Sequence, residues 1–169
     1  MPYEVKGKSL TRQLLREKLN KVLKSNIVYH GSSNEHKFDT RGEIYDGTFF
    51  STNKNEARAY GKFVYEVELK PTIKIFDTNN LGDIQILMKV FSVLYDNYYD
   101  ENEEEHYIRT PEELYNNSDS WNAIENTDGV LEWLHGRYDG VTIFEGGVEN
   151  ILIFNPVKDK IQKLKLISK

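Results

Sequence analysis

Apolar positions recur along this chain in two rhythms, and the switches between them mark out its elements. Leu10, Leu14, Leu15, Leu19, Val22 and Leu23 fall at helical spacing among Arg and Lys, which predicts an amphipathic helix over residues 9–25 capped by Ser9. Ile27-Val28-Tyr29-His30 then reads as a short buried strand stopped by Gly31-Ser32-Ser33. Residues 34–46 are polar, with Phe38 and Ile44 as anchors of an ordered loop. The stretch 47–60, GTFFSTNKNEARAY, reads as a strand, a polar turn and the start of a helix. Phe49 and Phe50 must point to opposite faces of that strand. Thr52 and Asn53 are cap types, Glu56 falls in the first turn, and the helix runs on to Tyr60.

Strict alternation returns at 62–70, where Phe63, Tyr65, Val67 and Leu69 interleave with Lys62, Glu66, Glu68 and Lys70, as in a half-exposed antiparallel strand. Pro71 breaks it and Ile73-Lys74-Ile75-Phe76 begins another strand. Asp77-Thr78-Asn79-Asn80 opens a helix expected from Leu81 to Tyr95 or beyond. Residues 96–106 are acidic and polar and read as a solvated loop. Thr110-Pro111-Glu112-Glu113 is a strong helix start, and 121–134 supplies more helix, broken near Asp128-Gly129, with His135 at its C-terminal end. Strands follow at 141–144, 150–154 and 161–167, the first two separated by Gly146-Gly147. The sum is one α+β domain over 1–169, with two mostly antiparallel sheets, an N-terminal helix and a helical insertion over about 81–136.

Composition narrows the function more than the fold. The 169 residues carry 22 Lys+Arg against 27 Asp+Glu, a formal net charge of −5. That balance disfavours an extended nucleic-acid groove and leaves room only for a local basic patch. The absence of Cys removes disulfides, thiolate nucleophiles and zinc ribbons from consideration. No apolar run is long enough to span a bilayer, and with no signal-peptide pattern the expected location is the cytoplasm, without a membrane partner. The carboxylates and His106 of the acidic stretch lack the alternating ligands and central Gly of a calcium loop, so no metal is expected.

Three places stand out chemically. His30 ends a strand just before Gly31, where bare backbone admits a ligand and an imidazole nitrogen meets a hydroxyl, or where a core His is satisfied by backbone. Arg41 lies in the following loop and either meets a phosphate or pairs with Asp39 or Glu43. Glu149 opens an apolar strand after two glycines, either splayed to water or held in a cleft.

Taken in order, Tyr29-His30-Gly31-Ser32, the 47–60 corner and Val148-Glu149-Asn150-Ile151-Leu152-Ile153-Phe154 resemble the ADP-ribosyltransferases of the diphtheria-toxin and poly(ADP-ribose) polymerase class, known by a His–Tyr–Glu signature. The spacing from Gly47 to Tyr60 matches that family's Gly-x-Tyr-Phe strand and second Tyr. The resemblance implies a split β-sandwich and NAD as co-substrate. It gives His30, helped by Ser32, a hydrogen bond to the adenosine ribose. The Gly31 backbone would hold the nicotinamide carboxamide, and Tyr60 would stack on the nicotinamide ring. Phe49, Ser51 and Arg41 join the NAD-binding set, and the resemblance makes Glu149 the catalytic acid residue, in a catalytic set with His30 and Tyr60. Phe49 replaces the signature Tyr, so a ring remains while its hydroxyl is gone.

The chemistry suits these residues. Nicotinamide leaves NAD neutral, so no second carboxylic acid is needed to protonate it, unlike ordinary glycoside cleavage. One ionised carboxylate binds the ribose 2′-hydroxyl and stabilises the oxocarbenium charge, at about 2–4 kcal/mol of preorganised electrostatic help. The resemblance therefore implies a mono-ADP-ribosyltransferase acting on a macromolecule, above all a protein, in the manner of a phage or bacterial effector. Gly147, two residues before Glu149, offers no side chain to select an acceptor, and Glu145 nearby either orients a nucleophile or, as the favoured reading, is a solvent-facing turn carboxylate. An NAD glycohydrolase, a non-catalytic NAD- or ADP-ribose-binding or partner-blocking module, and a generic interaction domain are the alternatives.

Overall fold

The computed structural model describes residues 26–35, 38, 47–99, 102 and 104–169. The helix expected over 9–25 and the loop bearing Arg41 lie outside the described residues. Among those described, the chain forms nine strands and five α-helices. In order these are β1 (Ile27–Ser32), β2 (Gly47–Ser51), α1 (Lys54–Arg58), β3 (Phe63–Leu69), β4 (Ile75–Asp77), α2 (Leu81–Val90), β5 (Leu94–Tyr99), β6 (Glu105–Ile108), α3 (Pro111–Tyr115), α4 (Ser120–Asn126), α5 (Val130–His135), β7 (Gly140–Glu145), β8 (Val148–Phe154) and β9 (Ile161–Ser168). A short 3-10 turn, Val157–Lys160, precedes the last strand.

The fold is α+β. A seven-stranded mixed sheet runs in the order β4-β7-β8-β2-β1-β3-β9, and β5 and β6 form a separate two-stranded ribbon. All neighbours in the large sheet are antiparallel except β4 and β7, which are parallel because the helical insertion carries the chain back to the same edge. The two sheets are thus one large, mostly antiparallel sheet and a small ribbon inside the insertion.

Alternation along the central strands sends apolar side chains to both faces. Val141, Ile143, Leu152 and Phe154 join Phe76 and the helices of the insertion in one core. Phe50, Ile151 and Ile153 join Val28, Val67, Leu69 and Phe38 in the other. Each fully buried side chain of this kind contributes about 1.5–3 kcal/mol.

Helix ends follow their local chemistry. Asn53 Oδ1 accepts from Asn55 N at 2.8 Å, and Asn80 Oδ1 accepts from Gly82 N at 2.9 Å. Thr110 caps α3 in a reciprocal pair with Glu113, and Pro111 takes the first helical position. Gly129, at φ 84°, separates α4 from α5 where Asp128-Gly129 predicted a break. The helix expected to run from Leu81 through Tyr95 ends at Val90, and residues 94–99 and 105–108 pair as a ribbon where helix end and loop were expected. Leu94 and Ile108 pair in register and are both fully buried, so burial shared with the insertion decides this segment over its polar composition.

Candidate functional site

Strands β1 and β2 meet through a single pair, Tyr29 and Ser51, whereas β2 pairs with β8 along its whole length. The seam between β1 and β2 therefore opens toward Gly31. His30 fills it: its Nδ1 lies 2.8 Å from the Phe49 carbonyl. A carbonyl only accepts, so Nδ1 carries a proton. The ring is steadied edge-on by Phe38, with centroids 5.3 Å apart, and lies 5.7 Å from Phe50.

The corner after β2 closes one side of this seam. A Cβ on Gly31 would fall 1.7 Å from the Ala57 carbonyl oxygen, so α1 rests directly on the β1 backbone. The first requirement for glycine there is thus the helix, while the Gly31 backbone still borders the opening. Gly61, at φ 156°, brings the end of α1 back against Ser32, where any side chain would meet the Ser32 backbone at 2.1 Å. Tyr60 is delivered to the rim with 62% of its surface exposed. The cleft so formed has a volume of about 240 Å³ and is lined by Tyr29, His30, Gly31, Phe49, Tyr60, Glu145 and Asn150 among others.

Its polar floor comes from the hairpin of β7 and β8. Ser51 pairs with Asn150, and Asn150 with Ile143, so Asn150 shares its face with Phe49, Leu152 and Glu145. Asn150 is 2% exposed, shares the face of the Glu145 carboxyl, and favours its ionised form. Glu145 is itself exposed; partial desolvation raises its carboxyl pKa, the charges of Glu125 and Asp119 raise it further, and Asn150 opposes them.

Glu149 stands one residue away and therefore on the opposite face, with Ile151 and Ile153. It is 9% exposed, and its Oε2 accepts from Asn79 Nδ2 at 3.2 Å. Asn79 belongs to a buried polar group beneath the sheet: Thr78 Oγ1 donates to the Thr142 carbonyl at 2.7 Å, and Thr142 Oγ1 donates to Asp77 Oδ1 at 3.0 Å. Burial raises the Asp77 carboxyl above its usual range, partly offset by bonds from the Asn79 backbone and Thr142.

The structure thus gathers His30, Gly31, Phe49, Ser51 and Tyr60 around one opening and sets Glu149 behind it. Ser32 ends β1, its Oγ accepting from Asn34 N at 3.3 Å. Ser51 Oγ accepts from Asn53 N at 3.0 Å, joining strand to cap. Arg41 lies outside the described residues. Two groups escaped sequence reasoning. Asn150 carries no sequence signal apart from strand parity, which needs the register. Trp121 packs edge-on against Phe49 at 5.3 Å from 72 positions along the chain, a contact no local pattern announces.

Among the described residues no three His, Cys, Asp or Glu side chains gather so as to hold a metal ion. No described helix is long and apolar enough to cross a membrane. No protein-family model matches the chain, and no curated protein is similar to it in sequence. Among solved structures, a chain described as an anti-CRISPR protein is similar at 15% identity, over 75% of this chain and 88% of that one, with a TM-score of 0.41.

Proposed function

We propose that this chain is an NAD-dependent mono-ADP-ribosyltransferase acting on a macromolecular acceptor, above all a protein, and that Glu145 is the carboxylate facing the reacting ribose. The observation that carries the reading is the side-by-side arrangement of β8, β2 and β1, with Phe49, Tyr60, Glu145 and Asn150 converging on one cleft. A volume of about 240 Å³ lies below the roughly 300–1,000 Å³ of drug-sized pockets, which suits the nicotinamide and its ribose with the adenosine half running out past His30. The split ADP-ribosyltransferase fold belongs to the same proposal.

In this reading the nicotinamide ring lies against Tyr60 with its carboxamide toward the Gly31 backbone. The C1′–N bond breaks, its electron pair leaves with neutral nicotinamide, and positive charge grows on the ribose ring. Glu145, ionised and held by Asn150, accepts from the 2′-hydroxyl and stabilises that charge. The acceptor's lone pair then bonds C1′ and its proton passes to water or a neighbouring base. His30 hydrogen-bonds a hydroxyl of the adenosine ribose. Glu149 holds Asn79 and the sheet beneath the cleft.

Two observations favour a second reading, a non-catalytic NAD- or ADP-ribose-binding module. Phe49 lacks the signature hydroxyl, and Glu149 is turned from the cleft. Labelled NAD incubated with the protein and a cell extract separates the readings. A labelled macromolecule supports transfer, free ADP-ribose alone means hydrolysis, and saturable binding without turnover means a module.

A further inference from the structure

Besides the β7–β8 ladder itself, three hydrogen bonds from one segment of the insertion, residues 118–120, fix the turn bearing Glu145. Residues 145–148 form a two-residue hairpin turn in which Gly146 and Gly147 sit at φ 54° and 79°, the left-handed pair such a turn requires. No other strand supports it, because β4 pairs with β7 only as far as Thr142. Beyond that point the outer edge of β7 is taken by α4. Ser120 Oγ, on a residue with no exposed surface, accepts from Phe144 N at 2.9 Å. The Ser118 carbonyl accepts from Gly147 N at 2.9 Å, and Asp119 Oδ1 accepts from Gly146 N.

Asp119 is the telling residue. It stands at the N-cap of α4, where an Asp ordinarily accepts from the amides of its own helix, yet its side chain makes no such bond. Its oxygen goes to the Gly146 amide, next to Glu145. The same short segment places Trp121 against Phe49, so it touches both the floor and the wall of the cleft.

We propose that Asp119 and Ser120 are positioning residues that hold the β7–β8 turn, and with it the Glu145 carboxylate, at the cleft. This rests on the reading of Glu145 as the reacting carboxylate. The effect of Asp119 is twofold: its oxygen fixes the turn, and its charge, with that of Glu125, opposes ionisation of Glu145. Among the described residues Asn150 on β8 acts on Glu145 in the opposite sense, and Tyr60 and His30 line the same cleft.

The test uses the full chain with Asp119→Ala, Asp119→Asn and Ser120→Ala, read by amide hydrogen exchange, carboxyl NMR titration and NAD turnover. Asp119→Ala is expected to speed exchange of the Gly146 amide and lower kcat by roughly tenfold to a hundredfold, the range for a slight misplacement of a catalytic group, with KM little changed. Asp119→Asn keeps the accepting oxygen, so exchange protection returns while the Glu145 titration moves to lower pH. Ser120→Ala is expected to speed exchange at Phe144. Unchanged Gly146 exchange and an unmoved Glu145 titration in the Asp119 variants would overturn the proposal, even in a variant of lowered thermal stability. Should the wild-type protein turn over no NAD, the transferase reading falls, and exchange and titration still decide whether Asp119 holds Glu145.

Discussion

Asn79 donates to Glu149 across 3.2 Å on the face of the sheet opposite the cleft, while Asn150, the next residue, reaches Glu145 on the cleft face. Two adjacent residues of β8 thus serve two different polar groups. Glu149→Gln is expected to keep NAD turnover within about threefold of wild type, a difference of about 0.6 kcal/mol in activation free energy. Glu145→Gln is expected to lose ~10²–10³ in kcat with the fold intact. Steady-state kinetics with circular dichroism on both variants checks this, and the reverse order would return the reaction to Glu149.

Partial desolvation first, and then the charges of Glu125 and Asp119, raise the pKa of the exposed Glu145 carboxyl. In the proposed reaction Glu145 acts ionised, so kcat is expected to rise with pH through its raised pKa and level off above it. Removing Glu125 by Glu125→Gln shifts that acidic limb to lower pH. A pH–rate profile of the two proteins shows the displacement.

Tyr60 is mostly exposed, so its loss costs the fold little, within about 0.5 kcal/mol for a surface position. A ring stacked on nicotinamide contributes on the order of 1–3 kcal/mol, by analogy with base stacking on aromatic side chains. Tyr60→Ala is therefore expected to raise the Kd for NAD by about 5- to 100-fold without moving Tm, as calorimetry and thermal melts can measure together.

At Gly31 the contact is with backbone rather than a flexible side chain. Gly31→Ala forces α1 off the strand and is expected to destabilise the protein by about 1–3 kcal/mol, the usual cost of overpacking. Denaturant unfolding gives the figure, and NAD affinity should fall with it because Tyr60 follows α1.

Asp77 is buried beneath the sheet with its pKa raised, chiefly by desolvation. A carboxyl whose folded pKa lies above its unfolded value favours the fold fully below the unfolded pKa, and that advantage is lost as pH rises through the folded one. Asp77→Asn retains an oxygen for the Asn79 and Thr142 bonds. Its Tm is expected to exceed that of wild type near neutral pH, with the gap closing as pH falls toward the ordinary carboxyl value of 3.8. Melts across that range test it.

Local chemistry alone determined much of this chain. The 47–60 corner, the caps at Asn53, Asn80 and Thr110, and the break at Gly129 follow from residues within a few positions of each other, and their energetics do not depend on distant partners. The opposite directions of Phe49 and Phe50 were legible for the same reason, since a strand has a period of two. Which of those directions meets the cleft was not. A one-residue change of register reverses the face of every side chain, and only the pairing of Ser51 with Asn150 decides that Asn150 looks inward and Glu149 does not. The ribbon of β5 and β6 likewise waits on burial of Leu94 and Ile108 against the insertion. Contacts such as Asp119 with Gly146 and Trp121 with Phe49 join segments 27 and 72 positions apart, where sequence carries no periodicity to read and tertiary packing alone sets the distance.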